Sequence, residues 1–192
     1  MTMGTTESSR GTGDVVDLLL GQHREAEQLF AELERAAGGA ARKEPFERLV
    51  RLLAVHETAE EEVVYPAVRA SVDDGDRLAD ARTAEEAEAK QALANLEETG
   101  PEGAEFPHQL ETVKRLVLEH ARNEEREIFP ALRQSQTPEQ LGAMEKAVRA
   151  AEAMAPTHPH PRGPESAVGN MVVGPFVAIA DRVRDAIRSA TS

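Results

Sequence analysis

The sequence contains no cysteine, and this absence excludes disulfide bonds, thiolate-ligated zinc, iron–sulfur clusters and thiol catalysis. Histidine and carboxylate side chains remain as the strong metal ligands. Aromatic residues are also scarce, at 3% of the chain, while alanine, leucine, glutamate and arginine dominate. Because strands favour aromatic and β-branched residues, this composition predicts an all-α protein.

Long hydrophobic runs are absent as well. No segment approaches the roughly 20 apolar residues that span a bilayer, and the polar first dozen residues lack the hydrophobic region of a signal peptide. Positive charge is in deficit, because 35 acidic residues against 22 Lys and Arg give a net charge of −13. Such a surface repels phosphate backbones and anionic lipids. We therefore expect a cytoplasmic protein that binds neither nucleic acid nor membranes.

The chain of 192 residues is long enough for one domain with a tail. The polar, aperiodic residues 1–13 indicate a disordered leader. Apolar residues then recur every three or four positions in four segments of residues 14–135, which predicts four helices packed as a bundle. Residues 136–192 are predicted to add C-terminal helices that pack on the bundle. One of these runs to about Ala155, and a last one covers residues 168–187.

Capping residues and prolines predict where the helices begin. Asp14 is suited to cap the first helix. Pro45 and Pro107 suit the first turns of the second and fourth helices, because proline lacks the N–H that is unpaired there anyway. The fifth helix has a three-residue start signal, formed by Thr137, Pro138 and Gln140.

An internal repeat is the strongest signal in the sequence. The segment HETAEEEVVYPAVR from His56 matches HARNEEREIFPALR from His120, 64 residues later, and both read H-x3-E-E-x3-[Y/F]-P-A-[V/L]-R. Two segments with His, two Glu, an aromatic residue, Pro, Ala and Arg in the same register indicate one helical unit used twice.

In each copy the His and the first Glu lie four residues apart, so they share one helix face: His56 with Glu60, and His120 with Glu124. That face also carries the apolar stripe. Placing unpaired charges there would cost several kcal/mol each through desolvation. A cation compensates for this cost, because imidazole nitrogen and carboxylate oxygen from one helix make an adjacent ligand pair. The alternative is a pair of salt bridges on a wet helix face.

The spacing along the chain indicates one shared site. His23, His56, Glu86 and His120 are separated by 33, 30 and 34 residues. A helix of about 20 residues plus a short loop returns the chain to the same level in an up-down bundle, so these side chains are predicted to meet at one height. Six candidate ligands are enough for two metal ions.

A single His followed by two H-x3-E elements resembles the hemerythrin HHE cation-binding family, over about residues 14–133. The resemblance implies an antiparallel, up-down four-helix bundle. It also implies two non-haem irons, bridged by the Glu carboxylates and by an oxo or hydroxo group. The positions in this chain that match the family ligands are His23, His56, Glu60, His120 and Glu124.

The family usually supplies a further His from the third helix, but residues 83–90 contain none. Glu86 takes that place when Leu93 and Leu96 are aligned with the family register, and Glu85 is the rival by one position. A site of three His and three Glu is harder and more anionic than a histidine-rich oxygen carrier, so it should stabilise ferric iron. Redox turnover is then expected rather than reversible O2 binding.

Other polar residues near these motifs have simpler interpretations. Tyr65 is expected to pack in the core, with a phenolate ligand as the alternative. The three neighbouring glutamates are expected to be solvated or to orient a ligand imidazole: Glu57, Glu61 and Glu125. The histidines outside the motifs are not expected to bind metal: His108, His158 and His160.

The resemblance implies a protein that reacts with small oxidants, namely O2, hydrogen peroxide or nitric oxide, and that receives electrons from an unknown donor. Redox detoxification or stress defence is the leading interpretation, through a peroxidase-like, catalase-like or nitric oxide-consuming oxidoreductase activity. A reversible O2 or NO binding or sensing module and an iron-storage protein are the alternatives. Manganese and zinc also accept such ligands.

Overall fold

The computed structural model of the protein describes residues 13–154, and the regular elements in that part of the chain are all helical. Two five-residue π-helical segments, π1 and π2, interrupt the α-helices. In chain order the elements are α1 (Val15–Arg35), α2 (Gly39–Ala59), π1 (Glu60–Val64), α3 (Tyr65–Ser71), α4 (Gly75–Thr99), α5 (Phe106–Asn123), π2 (Glu124–Ile128), α6 (Phe129–Ser135) and α7 (Pro138–Met154). The all-α prediction is confirmed. Residues 1–12 of the predicted leader and the predicted helix at 168–187 lie outside the described residues.

Two of the predicted helix starts have the expected cap. At α1 the Asp17 N–H donates to Asp14 Oδ1 at 3.0 Å, and the Asp14 N–H donates to Asp17 Oδ2 at 3.2 Å. At α7 the Thr137 N–H donates to Gln140 Oε1 at 2.7 Å, and the Gln140 N–H donates to Thr137 Oγ1 at 3.3 Å. In both cases side chains pair with N–H groups that the first helical turn leaves without partners.

The predicted start of the second helix at Pro45 is wrong, because α2 begins six residues earlier at Gly39. The residues in between are Ala40, Ala41, Arg42, Lys43 and Glu44. All five favour a helix, and the Arg42 N–H already donates to the Gly38 carbonyl at 3.1 Å. Pro45 therefore lies in the second turn of the helix, where it cannot donate the usual backbone hydrogen bond.

The two repeat motifs form two long helices that each contain a π segment. Helices α2 and α3 continue through π1, and helices α5 and α6 continue through π2, with right-handed helical dihedrals at every junction. The N–H of Tyr65 donates to the carbonyl of Glu60, five residues back, and that of Phe129 donates to Glu124 in the same way. The next residue in each copy is a proline, which lacks an N–H and crowds the carbonyl four residues before it. A wider turn at this point relieves that crowding.

The core consists of two apolar layers with a polar layer between them. One apolar layer includes residues of α1, α3, α6 and α7, among them Val15, Leu19, Val68, Leu132, Met144 and Val148. The other includes residues of α1, α2, α4 and α5, among them Phe30, Leu49, Leu53, Leu93, Leu96 and Phe106. The histidines and glutamates of the repeat motifs lie between the two layers along each helix. Within residues 13–154 no helix is long and apolar enough to cross a membrane.

Candidate metal centre

Four helical segments bring six predicted ligands together in the polar layer. Their residues are at most 6% exposed, and the three glutamates have no exposed surface. Helix α1 contributes His23, helix α2 and π1 contribute His56 and Glu60, helix α4 contributes Glu86, and helix α5 and π2 contribute His120 and Glu124. The mid-helix level that the sequence spacing predicted is therefore where these side chains meet.

The six side chains form two overlapping groups. His23, His56, Glu60 and Glu124 can each offer one ligand atom within 4.8 Å of the others, and so can Glu60, Glu86 and His120. Glu60 belongs to both groups. The Nε2 atoms of the imidazoles face carboxylate oxygens at 3.3 Å for His56 and Glu60, 3.5 Å for His120 and Glu124, and 3.4 Å for His23 and Glu124.

Buried polar atoms in this cluster lack hydrogen-bond partners. They are the Nε2 atoms of His23 and His120, both carboxylate oxygens of Glu60, and the Oε2 atoms of Glu86 and Glu124. A buried polar group without a partner costs about 1–3 kcal/mol, and more when it is charged. These atoms are nitrogen and oxygen donors that point at one another, so a pair of cations would satisfy them. The residues present fit a metal centre.

The electrostatics of the cluster lead to the same conclusion. Burial raises the pKa of Glu60 well above its ordinary value, and the nearby carboxylates of Glu124 and Glu86 raise it further. Burial likewise raises the pKa of Glu86, together with the charge of Glu57. Burial lowers the pKa of His56 to about 3, with repulsion from His23 adding to the effect. Positive charge between the side chains would keep the carboxylates ionised and the imidazoles neutral, which is the form in which they bind metals.

Each histidine has an acceptor on the nitrogen that points away from the cluster. Nδ1 of His23 lies 2.9 Å from Glu125 Oε1, and Nδ1 of His56 lies 2.7 Å from Gln22 Oε1. Nδ1 of His120 lies 3.2 Å from Glu85 Oε2. Such partners fix the tautomer and the ring orientation of metal-binding histidines.

Glu85 and Glu86, the two rival positions on α4, have different environments. Glu86 has no exposed surface and lies in the cluster. The Glu85 side chain is 31% exposed and accepts hydrogen bonds from Arg82 at 2.8 Å and from Asn123 at 2.8 Å, besides its contact with His120. Glu85 therefore contacts the outer nitrogen of an imidazole, and Glu86 is the residue of the two that lies among the candidate ligands.

Tyr65 has a polar role beyond the core packing that the sequence predicted. Its hydroxyl donates to Glu86 Oε1 at 2.5 Å and also lies 2.9 Å from Glu124 Oε1, and its side chain is buried. Burial and the neighbouring carboxylates raise the pKa of Tyr65 well above its ordinary value, which favours the neutral donor. Phe129, the matching residue of the second copy, instead stacks on the His23 ring at 5.5 Å between centroids.

A lysine that was not predicted from the sequence lies beside the cluster. Lys90 Nζ lies 2.5 Å from Glu61 Oε1, 3.7 Å from Glu57 Oε2 and 3.7 Å from Glu86 Oε2. Glu57 is 4% exposed and lies beside Lys90, so the prediction that it is solvated is wrong, and burial raises its pKa to about 7. The four-residue spacing of Glu86 and Lys90 on α4 was a signal that could have found this contact.

A small cavity lies against the histidine side of the cluster. The side chains of His23, His56 and His120 line part of it, and apolar side chains line most of the rest, including Ala26, Leu53, Ala89, Val117 and Ala121. The cavity has room for roughly one molecule the size of water. It would admit a small neutral molecule to the imidazole side of the centre.

Comparisons with known proteins agree with this geometry. A solved structure of a hemerythrin HHE cation-binding domain-containing protein from Mycobacterium kansasii is similar, with a TM-score of 0.64 and 20% identity, over 89% of this chain and 99% of that one. That similarity shows the fold. A protein from Nostoc sp. (strain PCC 7120 / SAG 25.82 / UTEX 2576) described as a DNA nickase is 30% identical over 142 residues. These residues are 73% of this chain and 38% of that protein, so the chain spans little more than a third of its length.

The family comparison covers the cluster itself. A model of the hemerythrin HHE cation-binding domain matches residues 14–132, which is more than half of the chain and includes all six buried histidines and glutamates of the cluster. A metal-binding function follows from the family and agrees with the unpaired nitrogen and oxygen atoms of the polar layer. The chain belongs to the hemerythrin HHE cation-binding domain family.

Proposed function

We propose that this chain is a non-haem di-iron protein of the hemerythrin type that reacts with O2, hydrogen peroxide or nitric oxide in redox detoxification or stress defence. The observation that supports two ions most directly is Glu60, whose carboxylate belongs to both ligand groups of the cluster. A carboxylate has two acceptor oxygens, so one residue can contribute to two cations. The proposal includes an antiparallel, up-down arrangement of the four helical segments that carry the ligands.

Six side chains would hold the two irons: His23, His56, Glu60, Glu86, His120 and Glu124. Bound iron would supply one-electron redox chemistry toward small oxidants. The protein contributes burial, because the apolar layers on both sides of the cluster exclude bulk water. The acceptors at the three Nδ1 atoms keep each imidazole turned with Nε2 toward the centre.

Three carboxylates and the hydroxyl of Tyr65 make one side of the cluster rich in oxygen. Hard anionic ligands favour the more highly charged ferric ion. This composition supports an oxidoreductase of the peroxidase-like, catalase-like or nitric oxide-consuming kind, supplied by an electron donor that remains to be identified. Reversible O2 or NO binding is the second candidate, and the apolar cavity against the histidines is the observation that favours it.

The nuclease description of the Nostoc relative does not lead us to a nucleic-acid activity for this chain. The matched region is only 38% of that protein. The nicking activity can therefore reside in the part of that protein that this chain does not match. The net charge of −13 opposes contact with a phosphate backbone. The buried cluster also lies between two apolar layers, where a polynucleotide cannot reach it.

Anaerobic purification of the full chain, followed by metal quantification, tests the metal assignment. We expect two irons per chain and a visible spectrum that changes on adding O2, peroxide or NO in turn. Peroxide or NO that is consumed over many turnovers with an added reductant supports the enzyme, whereas a single reversible spectral change supports the binding module. A well-folded chain that holds one iron or fewer after growth with ample iron would contradict the di-iron proposal.

The exposed residue His108 provides a matched control for that experiment. It lies in the first turn of the same helix, α5, that carries His120. His108→Ala should retain two irons and the parent spectrum. Loss of iron in this variant would mean that the purification, and not the site, determines metal content.

A further inference from the structure

The Nδ1 partner of His56 differs from those of the other two histidines, because it is an amide. Gln22 lies on α1 beside His23, and its Oε1 lies 2.7 Å from His56 Nδ1. The other end of the same amide, Nε2, donates to Glu152 Oε1 on α7. The side chain of Gln22 thus joins a residue of the metal centre to a carboxylate on the helix that follows the repeat motifs.

The carboxylate determines which way the amide faces. An amide group can present either its oxygen or its NH2 group to a neighbour, and the two orientations have nearly the same shape. A carboxylate only accepts hydrogen bonds, so Glu152 holds the NH2 end of Gln22 and leaves Oε1 for His56. The oxygen in turn requires the proton of His56 on Nδ1. The Nε2 lone pair then points at Glu60, 3.3 Å away, where it can bind a metal ion.

The other histidines show what this arrangement replaces. His23 and His120 each have a carboxylate directly on Nδ1, from Glu125 and Glu85. At His56 the Gln22 amide lies between the imidazole and the carboxylate of Glu152. Because Glu152 accepts from the NH2 end of this amide, the amide oxygen is left to accept from His56 Nδ1. All three imidazoles therefore have an anion behind them, as metal-binding histidines commonly do.

The position of Glu152 depends on the packing of α7. Helix α7 begins at Pro138, after the last residue of the family match. Its buried residues Met144, Val148 and Ala151 belong to the same apolar layer as Val16 and Leu19 of α1. Glu152 directly follows the buried Ala151, and Gln22 lies three residues after the buried Leu19. The packing of α7 on α1 therefore places the Glu152 carboxylate beside Gln22.

From this geometry we infer that Glu152 is a positioning residue for His56 that acts through Gln22, so that helix α7 completes a metal centre otherwise built from the family domain. The inference depends on the proposed metal function, in which His56 is a ligand. Its immediate consequence is a fixed tautomer, and its second consequence is slower release of the metal. These two consequences can be measured separately.

The tautomer of His56 is measured by nitrogen-15 NMR on the full chain after chelator treatment, with His56 assigned by substitution. We expect the parent to carry the proton on Nδ1, and Glu152→Ala to give a mixture with the Nε2-protonated form. Glu145→Ala removes a carboxylate from the same helix without touching Gln22 and should match the parent. An unchanged tautomer in Glu152→Ala would overturn the inference, whether or not the chain binds iron.

Iron release to a chelator tests the second consequence. We expect Glu152→Ala to lose iron roughly 10-fold faster, at the low end of the 10–100-fold effects reported for outer partners of metal ligands. Glu152→Gln keeps an acceptor oxygen for Gln22 and should stay close to the parent. The double variant Gln22→Glu with Glu152→Ala places the carboxylate directly on His56, as Glu85 is placed on His120, and should restore slow release.

The outcomes separate this inference from the proposed function. If the parent chain binds no iron, the di-iron proposal fails while the tautomer measurement still decides the role of Glu152. If Glu152→Gln releases iron as fast as Glu152→Ala, or if the double variant restores nothing, the acceptor role is wrong. Faster release in Glu145→Ala as well would show that any charge change on α7 has the effect, and it would overturn the specific role of Glu152.

Discussion

The helices α1–α3 and α4–α6 form two halves of the centre that can be compared residue by residue. The matched positions are Gln22 and Glu85, His23 and Glu86, His56 and His120, Glu60 and Glu124, Tyr65 and Phe129, and Ser71 and Ser135. The first pair makes equivalent contacts, because Gln22 contacts Nδ1 of His56 and Glu85 contacts Nδ1 of His120. Ser71 and Ser135 contact each other through their hydroxyls at 3.4 Å. The repeat therefore extends beyond the H-x3-E motifs to the helices that precede them.

The two halves differ where His23 corresponds to Glu86. Around His23 the neighbours suit an imidazole, because Glu125 accepts from it and Phe129 stacks on it. Around Glu86 the neighbours suit a carboxylate, because Tyr65 donates to it and Lys90 stands between it and Glu61. The half that has Glu86 in place of a histidine thus also has a hydroxyl and a positive charge beside that residue. In the oxygen-rich half, both Tyr65 and Lys90 are therefore arranged around Glu86.

The largest effect is expected when one of the two matched histidines is removed. His56→Ala and His120→Ala should each lose iron. The free energy of unfolding of each variant should be about 3–5 kcal/mol below that of the iron-loaded parent, because the neighbouring carboxylates are left uncompensated. Iron content and thermal unfolding on one preparation measure both effects. Unchanged iron occupancy in both variants would contradict the ligand assignment.

Exchanging Glu86 for histidine would make the two halves alike. We expect Glu86→His to keep two irons, to raise the reduction potential, and to shift the reaction from peroxide or NO turnover toward reversible O2 binding, because an anionic ligand has become neutral. Redox titration and stopped-flow rates measure this shift. Glu85→Ala should leave two irons in place, since Glu85 contacts the outer nitrogen of His120. Glu86 is not a ligand if both Glu86→His and Glu86→Ala keep the iron content, the spectrum and the peroxide reactivity of the parent.

Exchanging the aromatic residues tests whether each one suits the half it occupies. Tyr65→Phe removes a hydroxyl that lies within hydrogen-bond distance of two carboxylates and should cost about 2 kcal/mol in the free energy of unfolding. Phe129→Tyr places a hydroxyl against the His23 ring and should cost about 1–3 kcal/mol if no acceptor is within reach. Chemical denaturation of the iron-loaded variants measures both. If Tyr65→Phe also abolishes a visible absorption band, Tyr65 is an iron ligand.

The smallest effects are expected where the halves meet outside the polar layer. Ser71 accepts from Gln136 Nε2 at 2.6 Å, whereas the bonds of Ser135 are both 3.4 Å long. Ser71→Ala should therefore cost about 1 kcal/mol and Ser135→Ala about half of that. Neither should change the iron content. Iron loss in either variant would mean that this contact supports the metal centre from a distance.

Much of the cluster could be predicted from the sequence because charged residues on an apolar stripe need compensation. That argument led to His56, Glu60, His120 and Glu124, and the structure brings these residues together. Glu86 required the added argument that Leu93 and Leu96 align with the family register, and it is buried among the other candidate ligands. Whether each residue binds iron stays a prediction.

The remaining features depend on contacts that periodicity does not contain. The environment of Lys90 follows from α2 and α4 lying side by side, and that of Gln22 follows from the packing of α7 on α1. The π segments were also missed, although Pro66 and Pro130 inside otherwise helical patterns were a local sign of them. The early start of α2 shows that residues with high helix propensity before a proline can begin the helix upstream of it. The proline is then not in the first turn, the position it prefers.

The π segments have a consequence for how these helices tolerate changes in length. Each residue of an α-helix turns the chain by about 100°, so one extra residue in a wider turn resets the angular phase of everything after it. Before π1, the phase directs His56 to the polar layer, and after it, the phase directs Val68 into the apolar layer shared with α7. The wider turn thus lets the part of the helix before π1 face the polar layer and the part after it face the apolar layer. Deleting one residue of π1 after Glu60 would close the wide turn to an ordinary α-helical turn, so both parts of the helix would keep their present directions without a change of ligand.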